Sequence, residues 1–130
     1  MTAFGLSKWY LDCITDSGET LIGYSGAVEW GAVRLHYSSV LEADARDIAV
    51  RHTLREQDEP GAKGDSIVWR SDALQVDGLW RSDSSALRET IFSCEQGSVE
   101  WHCLMPRARA RCRDRSGLGY VERLLVTIPP

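Results

Sequence analysis

The segment Lys8–Gly31 constrains this chain most: K-W-Y-L-D-C-I-T-D-S-G-E-T-L-I-G-Y-S-G-A-V-E-W-G. Two β-forming runs flank Asp16-Ser17-Gly18, and such a turn between alternating runs predicts a hairpin. Trp9, Leu11 and Cys13 alternate with Tyr10, Asp12 and Ile14, so the two sets point to opposite faces of a strand. The second run carries Gly23 and Gly26. Glycines inside a strand mark bulges, or bends where a sheet curls. The chain therefore opens with a curved antiparallel pair bearing aromatic groups on both strands.

The same period of two continues. In Ala32–Leu41, Val33, Leu35 and Tyr37 oppose Arg34, His36 and Ser38. Residues 42–47 favour a turn or short helical piece, and Ile48–Arg55 alternates like a strand. Gln57–Asp65 reads as a loop of charge, Pro and Gly. Ser66–Arg70 and Leu74–Arg81 are short strands. Ala86–Cys94 and Ser98–Met105 form a second hairpin. A two-residue Gln96-Gly97 loop there sets Phe92 opposite Trp101, and Pro106 ends the strand. Arg107–Asp114 and Leu118–Ile128 form a third hairpin. About nine or ten strands with little helix, in one domain spanning residues 1–130, suit an antiparallel barrel or sandwich.

At 130 residues the chain can bury one core without staples. Its net charge of −4 argues against nucleic-acid binding by bulk charge. The charge is uneven: residues 1–65 carry 6 Lys and Arg against 11 Asp and Glu, and residues 66–130 carry 9 against 8. No apolar run is long enough for a membrane span, and the first ten residues do not read as a signal peptide. The expectation is a cytoplasmic protein. Cys13, Cys94, Cys103 and Cys112 form no Cys-x-x-Cys pair, which argues against zinc. They read as reduced thiols packed as small hydrophobes. No metal and no cofactor is expected, since no phosphate loop, Gly-x-Ser-x-Gly or His-Glu-x-x-His is present.

Trp9-Tyr10-x-Asp12, Asp16-x-Gly18 and Trp30-Gly31, followed by Leu79-Trp80, by Val99–Ala108 and by Gly119–Leu124, resemble the carotenoid 1,2-hydratase (hydroxyneurosporene synthase)-like family. The resemblance implies an all-β, antiparallel lipocalin-like β-barrel or half-barrel that handles an apolar ligand. The family's members have two lipocalin-like parts, and this chain is similar to the first. Their proposed acid residues belong to stretches with no match here, so no catalytic residue is carried over. A half that stands alone must close its own barrel or cover its open edges with a second copy, which points to a homodimer.

Three groups of residues could carry chemistry. Arg107, Arg109, Arg111 and Arg113 share one strand face, opposite Ala108, Ala110 and Cys112. Solvated arginines are the ordinary reading; the functional one is an anion site for a ligand's acidic tail on Arg109 or Arg111. If the turn is Arg115-Ser116, Arg109 lies opposite Glu122 and Arg111 opposite Tyr120; a three-residue turn shifts this by one. A second group is Glu100-x-His102 with Asp12 and Glu122, of which Asp12, Glu122 and His102 are the candidates for catalysis; Glu100 and His102 share the strand face opposite Trp101, whose face reads as core. A hydratase acting on an isolated double bond needs a strong acid beside an apolar pocket, and a carboxyl raised by burial can serve. Ordinary structural pairing is the commoner fate of such residues. The third group is aromatic: Trp9, Tyr10, Trp30, Trp80, Trp101 and Tyr120 either fill the core or line a pocket for a small apolar or amphipathic molecule.

Overall fold

Gly18 lies in the left-handed region at φ 88° and lets the chain reverse where the sequence predicts. The Thr15 hydroxyl accepts a hydrogen bond from the Glu19 amide at 3.0 Å and pins the turn. In the computed structural model, which describes residues 2–82 and 85–130, the strands are β1 Phe4–Thr15, β2 Thr20–Trp30, β3 Val33–Ala43, β4 Ile48–Thr53, β5 Gly61–Lys63, β6 Ser66–Ser71, β7 Val76–Ser82, β8 Leu87–Cys94, β9 Gly97–Cys112 and β10 Arg115–Ile128. A 3-10 turn, Glu56–Asp58, precedes β5, so part of the expected loop is regular. All pairings are antiparallel in one open sheet ordered β4-β3-β2-β1-β10-β9-β7-β6-β5. β8 pairs β9 beyond the end of β7. The fold is an all-β half-barrel.

The sheet rolls over its own core. Trp9, Leu11, Cys13, Leu21, Val40, Ile67, Trp69, Val76, Trp80 and Val121 are buried together, and Trp69 and Trp80 are wholly inaccessible. Bare backbone makes room for the two indoles. Trp69 of β6 lies across Gly23 of β2, and Trp80 lies over Gly78 and Gly119. The curl expected from Gly23 is thus a cradle for a ring arriving from the far end of the sheet.

Asp58 fastens the open side. Its carboxylate is 3% exposed and accepts bonds from Thr53 Oγ1 (2.9 Å), Arg55 Nε (3.0 Å) and Ser71 Oγ (2.8 Å). Its carbonyl accepts the Trp69 Nε1 hydrogen at 2.7 Å. The end of β4 is thereby tied to β6, two strands that share no ladder.

Three sequence expectations are corrected. Pro106 does not end a strand: β9 runs through it. It sits where the β9–β10 register slips between Gly119 and Val121, and the β7–β8 gap lies on the other edge, so no ladder bond needs the missing N–H. The second hairpin turns at Glu95-Gln96, which sets Phe92 opposite Val99 and Glu89 opposite Trp101. The third turns at Arg113-Asp114, with Arg113 at φ 58°. Arg109 therefore faces Leu118 and Arg111 faces Ser116, rather than Glu122 and Tyr120. Arg113 Nη2 donates to Glu42 Oε1 (2.8 Å) and Gln75 O (2.6 Å), and its amide to Asp77 O (2.7 Å), which holds this turn in place of the expected one.

Candidate functional site

Because Trp9 and Leu11 enter the core, Tyr10 and Asp12 are turned to the opposite face of β1. The register sets Tyr10 beside Tyr24 and Glu122, and Asp12 beside Ile22 and Tyr120. Tyr10 donates to Asp12 Oδ2 at 2.9 Å. Tyr120 Oη and Trp101 Nε1 both donate to Glu122 Oε2 at 2.8 Å. The Tyr10 ring meets Tyr24 edge-on at 5.3 Å and Tyr120 at 6.0 Å between centroids. The Lys8 ammonium caps the Tyr24 ring at 4.7 Å. Two carboxylates, three tyrosines and an indole thus form one connected patch on the sheet face away from the core.

The patch is partly desolvated, and its titration reflects that. Burial raises the Asp12 carboxyl above the ordinary aspartate value, and the nearby Glu122 charge adds to this against the lowering bonds from Tyr10 and the Tyr120 amide. Burial, then the bond to Asp12, pushes Tyr10 up to about 12. Tyr120 is raised by burial and by its contacts with Cys103 and Glu122. The Tyr10, Tyr120 and Trp101 protons are already committed to the carboxylates, so Asp12 and Glu122 present spare acceptor lone pairs.

Next to it the same face is apolar. Leu6, Tyr24, Val28, Leu35, Tyr37 and Leu54, with Lys8 at one side, line an open hollow of about 840 Å³. Leu35 is 63% exposed and Trp30, further along that face beside Phe4 and Val33, is 61% exposed.

Of the residues singled out in the sequence, Tyr10, Asp12, Trp101, Tyr120 and Glu122 come together. His102 does not join them. It alternates with Trp101 on the other face, 3.7 Å from Glu100 and in register with Arg123. Trp9 is 8% exposed, with the Arg123 guanidinium over its ring at 4.8 Å. Trp80 is core, but its Nε1 donates to the Asp12 carbonyl at 2.9 Å and so fixes the strand under the site. Arg109 and Arg111 lie further along β9, away from the carboxylates. Sequence reasoning missed Lys8 and Tyr24. Tyr24 was findable, because a turn at residues 16–19 sets positions 10 and 24 opposite one another. All four cysteines are free; Cys13 and Cys103 are buried as expected of small hydrophobes, whereas Cys94 is exposed at the second hairpin.

Among the described residues no group of His, Cys, Asp and Glu is placed to hold a metal ion, and no helix is long and apolar enough to cross a membrane. Comparison with protein-family models, curated proteins and solved structures finds no match for this chain.

Proposed function

We propose that this chain is a lipocalin-like binding module for a small amphipathic molecule. The apolar body rests on Leu6, Val28, Leu35 and Tyr37, and the polar end meets Tyr10, Asp12 and Glu122. The observation that carries this reading is the continuity of an acceptor-rich patch with an apolar hollow. Its volume of about 840 Å³ falls in the range of small-molecule sites, roughly 300–1,000 Å³. The interior offers no rival site where Trp69 and Trp80 fill it. Spare carboxylate lone pairs favour a head group that donates, such as an alcohol, and Lys8 can complete its bonding. In this reading the protein acts in the cytoplasm, without a cofactor or nucleic acid. Among the described residues β8 pairs only with β9 and is exposed throughout, so its other edge is a place for a second copy to pair.

Native mass spectrometry of protein taken from its host, with organic extraction, reports carried ligand and stoichiometry together. Farnesol, an isoprenoid alcohol, is the probe for titration by tryptophan fluorescence. The wild type is expected to bind it saturably at one per chain. Leu35→Asp should weaken it at least ten-fold without altering the circular dichroism spectrum. Equal affinity in both proteins would remove the hollow from the argument.

The raised Asp12 carboxyl favours a second reading, a cofactor-independent hydratase or isomerase related to carotenoid 1,2-hydratase, with Asp12 delivering the proton. Asp12→Asn separates the two. It should leave farnesol affinity within about three-fold under the binding reading and abolish any turnover under the enzymatic one. Stability adds a check on the site itself. A carboxyl raised on folding binds its proton more tightly in the folded state, so wild-type stability declines as pH rises through the folded value. Asp12→Asn should therefore melt no lower than wild type at pH 7. A large drop would mean that the carboxylate is held by its partners rather than penalised by burial.

A further inference from the structure

Strands β7 and β9 set three arginines together on the outward face. Trp80 and Ala110 are register partners and both enter the core. Their neighbours Arg81 and Arg109, also partners, must therefore both point outward. Arg111 shares that face beside Leu79. Like charges directly opposite each other across a ladder are destabilising. Six other arginines have such charge relieved by a carboxylate: Arg34 by Glu29, Arg51 and Arg113 by Glu42, Arg55 by Asp58, Arg70 by Asp77 and Arg115 by Glu19. Among the described residues Arg81, Arg109 and Arg111 have no ion pair and no side-chain hydrogen bond. They line an open cleft of about 640 Å³ with Ser116 and Leu118. Asp16 and Asp65 also line the cleft without pairing to any of the three.

We propose that this cleft binds a phosphate group, as a dianion, between Arg81, Arg109 and Arg111. A guanidinium presents a planar fork of donors, and a phosphate has enough oxygens to engage more than one fork at once. A carboxylate satisfies one fork and leaves the other charges facing each other. Phosphate at this site relieves the Arg81–Arg109 repulsion, so binding and stability are coupled. The cleft shares no lining residue with the Tyr10–Glu122 patch, and the proposal does not depend on what that patch binds.

The test uses the full chain, with inorganic phosphate as the probe, in low-salt buffer free of other multivalent anions. Calorimetric titration of the wild type should saturate at one phosphate per chain, and added salt should weaken it. Arg109→Gln and Arg81→Gln should each weaken it at least ten-fold. Arg70→Gln, which removes an exposed arginine paired to Asp77, should stay within two-fold. Phosphate should raise the wild-type melting temperature but not that of Arg109→Gln. Without phosphate, Arg109→Gln should melt at or above the wild type because the repulsion is gone. Absence of saturable binding overturns the proposal. So does equal weakening by Arg70→Gln, or a phosphate-free Arg109→Gln that melts well below wild type. Co-sedimentation with phosphatidylcholine vesicles containing phosphatidic acid identifies the source. Arg109-dependent pelleting assigns the phosphate to a lipid headgroup, and phosphate binding without pelleting assigns it to a soluble monoester; either supports the site.

Discussion

Trp69→Ala is expected to cost about 3–5 kcal/mol, the usual range for deleting a fully buried aromatic side chain. That is a large share of the roughly 5–15 kcal/mol that holds a small domain folded. The ring is wholly buried, crosses the core from β6 to β2, and donates to the Asp58 carbonyl at 2.7 Å. Its removal opens a cavity and leaves that carbonyl without its indole donor. Urea denaturation followed by circular dichroism should show a lower midpoint with little change in slope. A second substitution identifies the contact. A methyl group at Gly23 would run into the Trp69 ring, so Gly23→Ala alone is destabilising. In the Trp69→Ala background the same methyl enters empty space. The double variant should therefore lose clearly less than the sum of the two single losses. Strict additivity would show that β6 does not pack over β2, and the rolled sheet would have to be redrawn.

Strands such as β1, β6 and β7 were legible because one face of each is buried, and burial with period two writes itself into composition. The alternation of Trp9-Leu11-Cys13 with Tyr10-Asp12-Ile14 marks the buried and outer faces of β1. Register was legible only where the turn was unambiguous. Asp16-Ser17-Gly18 fixed the first hairpin, whereas the third was displaced because Arg113 adopts a left-handed conformation that its residue type does not advertise. That displacement moved Arg109 and Arg111 away from Glu122. Tyr10, Asp12, Trp101, Tyr120 and Glu122 could be picked out by residue type and strand placement. Their assembly depends on β10 lying between β1 and β9, which is a long-range pairing with no local signature. Alternation along β9 set His102 opposite Trp101, as observed, but Trp101 reads as core by residue type and instead joins Glu122 on the outer face, which leaves His102 on the other side. Asp58 was hidden altogether: it sits in a stretch that reads as a charged loop, and only the fold buries it.

That buried carboxylate carries the second large effect. Asp58→Ala deprives Thr53 Oγ1 and Ser71 Oγ of their acceptor and frees Arg55, for an expected loss of about 3 kcal/mol at pH 7. Asp58→Asn, which keeps one acceptor oxygen, should fall between the two. The pH dependence follows from the direction of the shift. Burial alone would raise the Asp58 carboxyl, but the bonds from Ser71, Arg55 and Thr53 outweigh it and hold the group below its ordinary value. A carboxyl depressed on folding contributes stability above its unfolded value, about 3.9, and that stability is lost as pH falls through the folded value. In that interval the unfolded chain binds the extra proton, so stability rises with pH. The gap between wild type and Asp58→Ala should accordingly be wide and flat from pH 7 to about pH 5, and should narrow below about pH 4. Urea midpoints at pH 7, 5 and 3 measure it, and subtracting the variant removes every other carboxylate common to both proteins. A gap that holds its full width at pH 3 would mean that the clasp between β4 and β6 works without the ionised carboxylate. The strand ends would then be held by the packing of Trp69 alone.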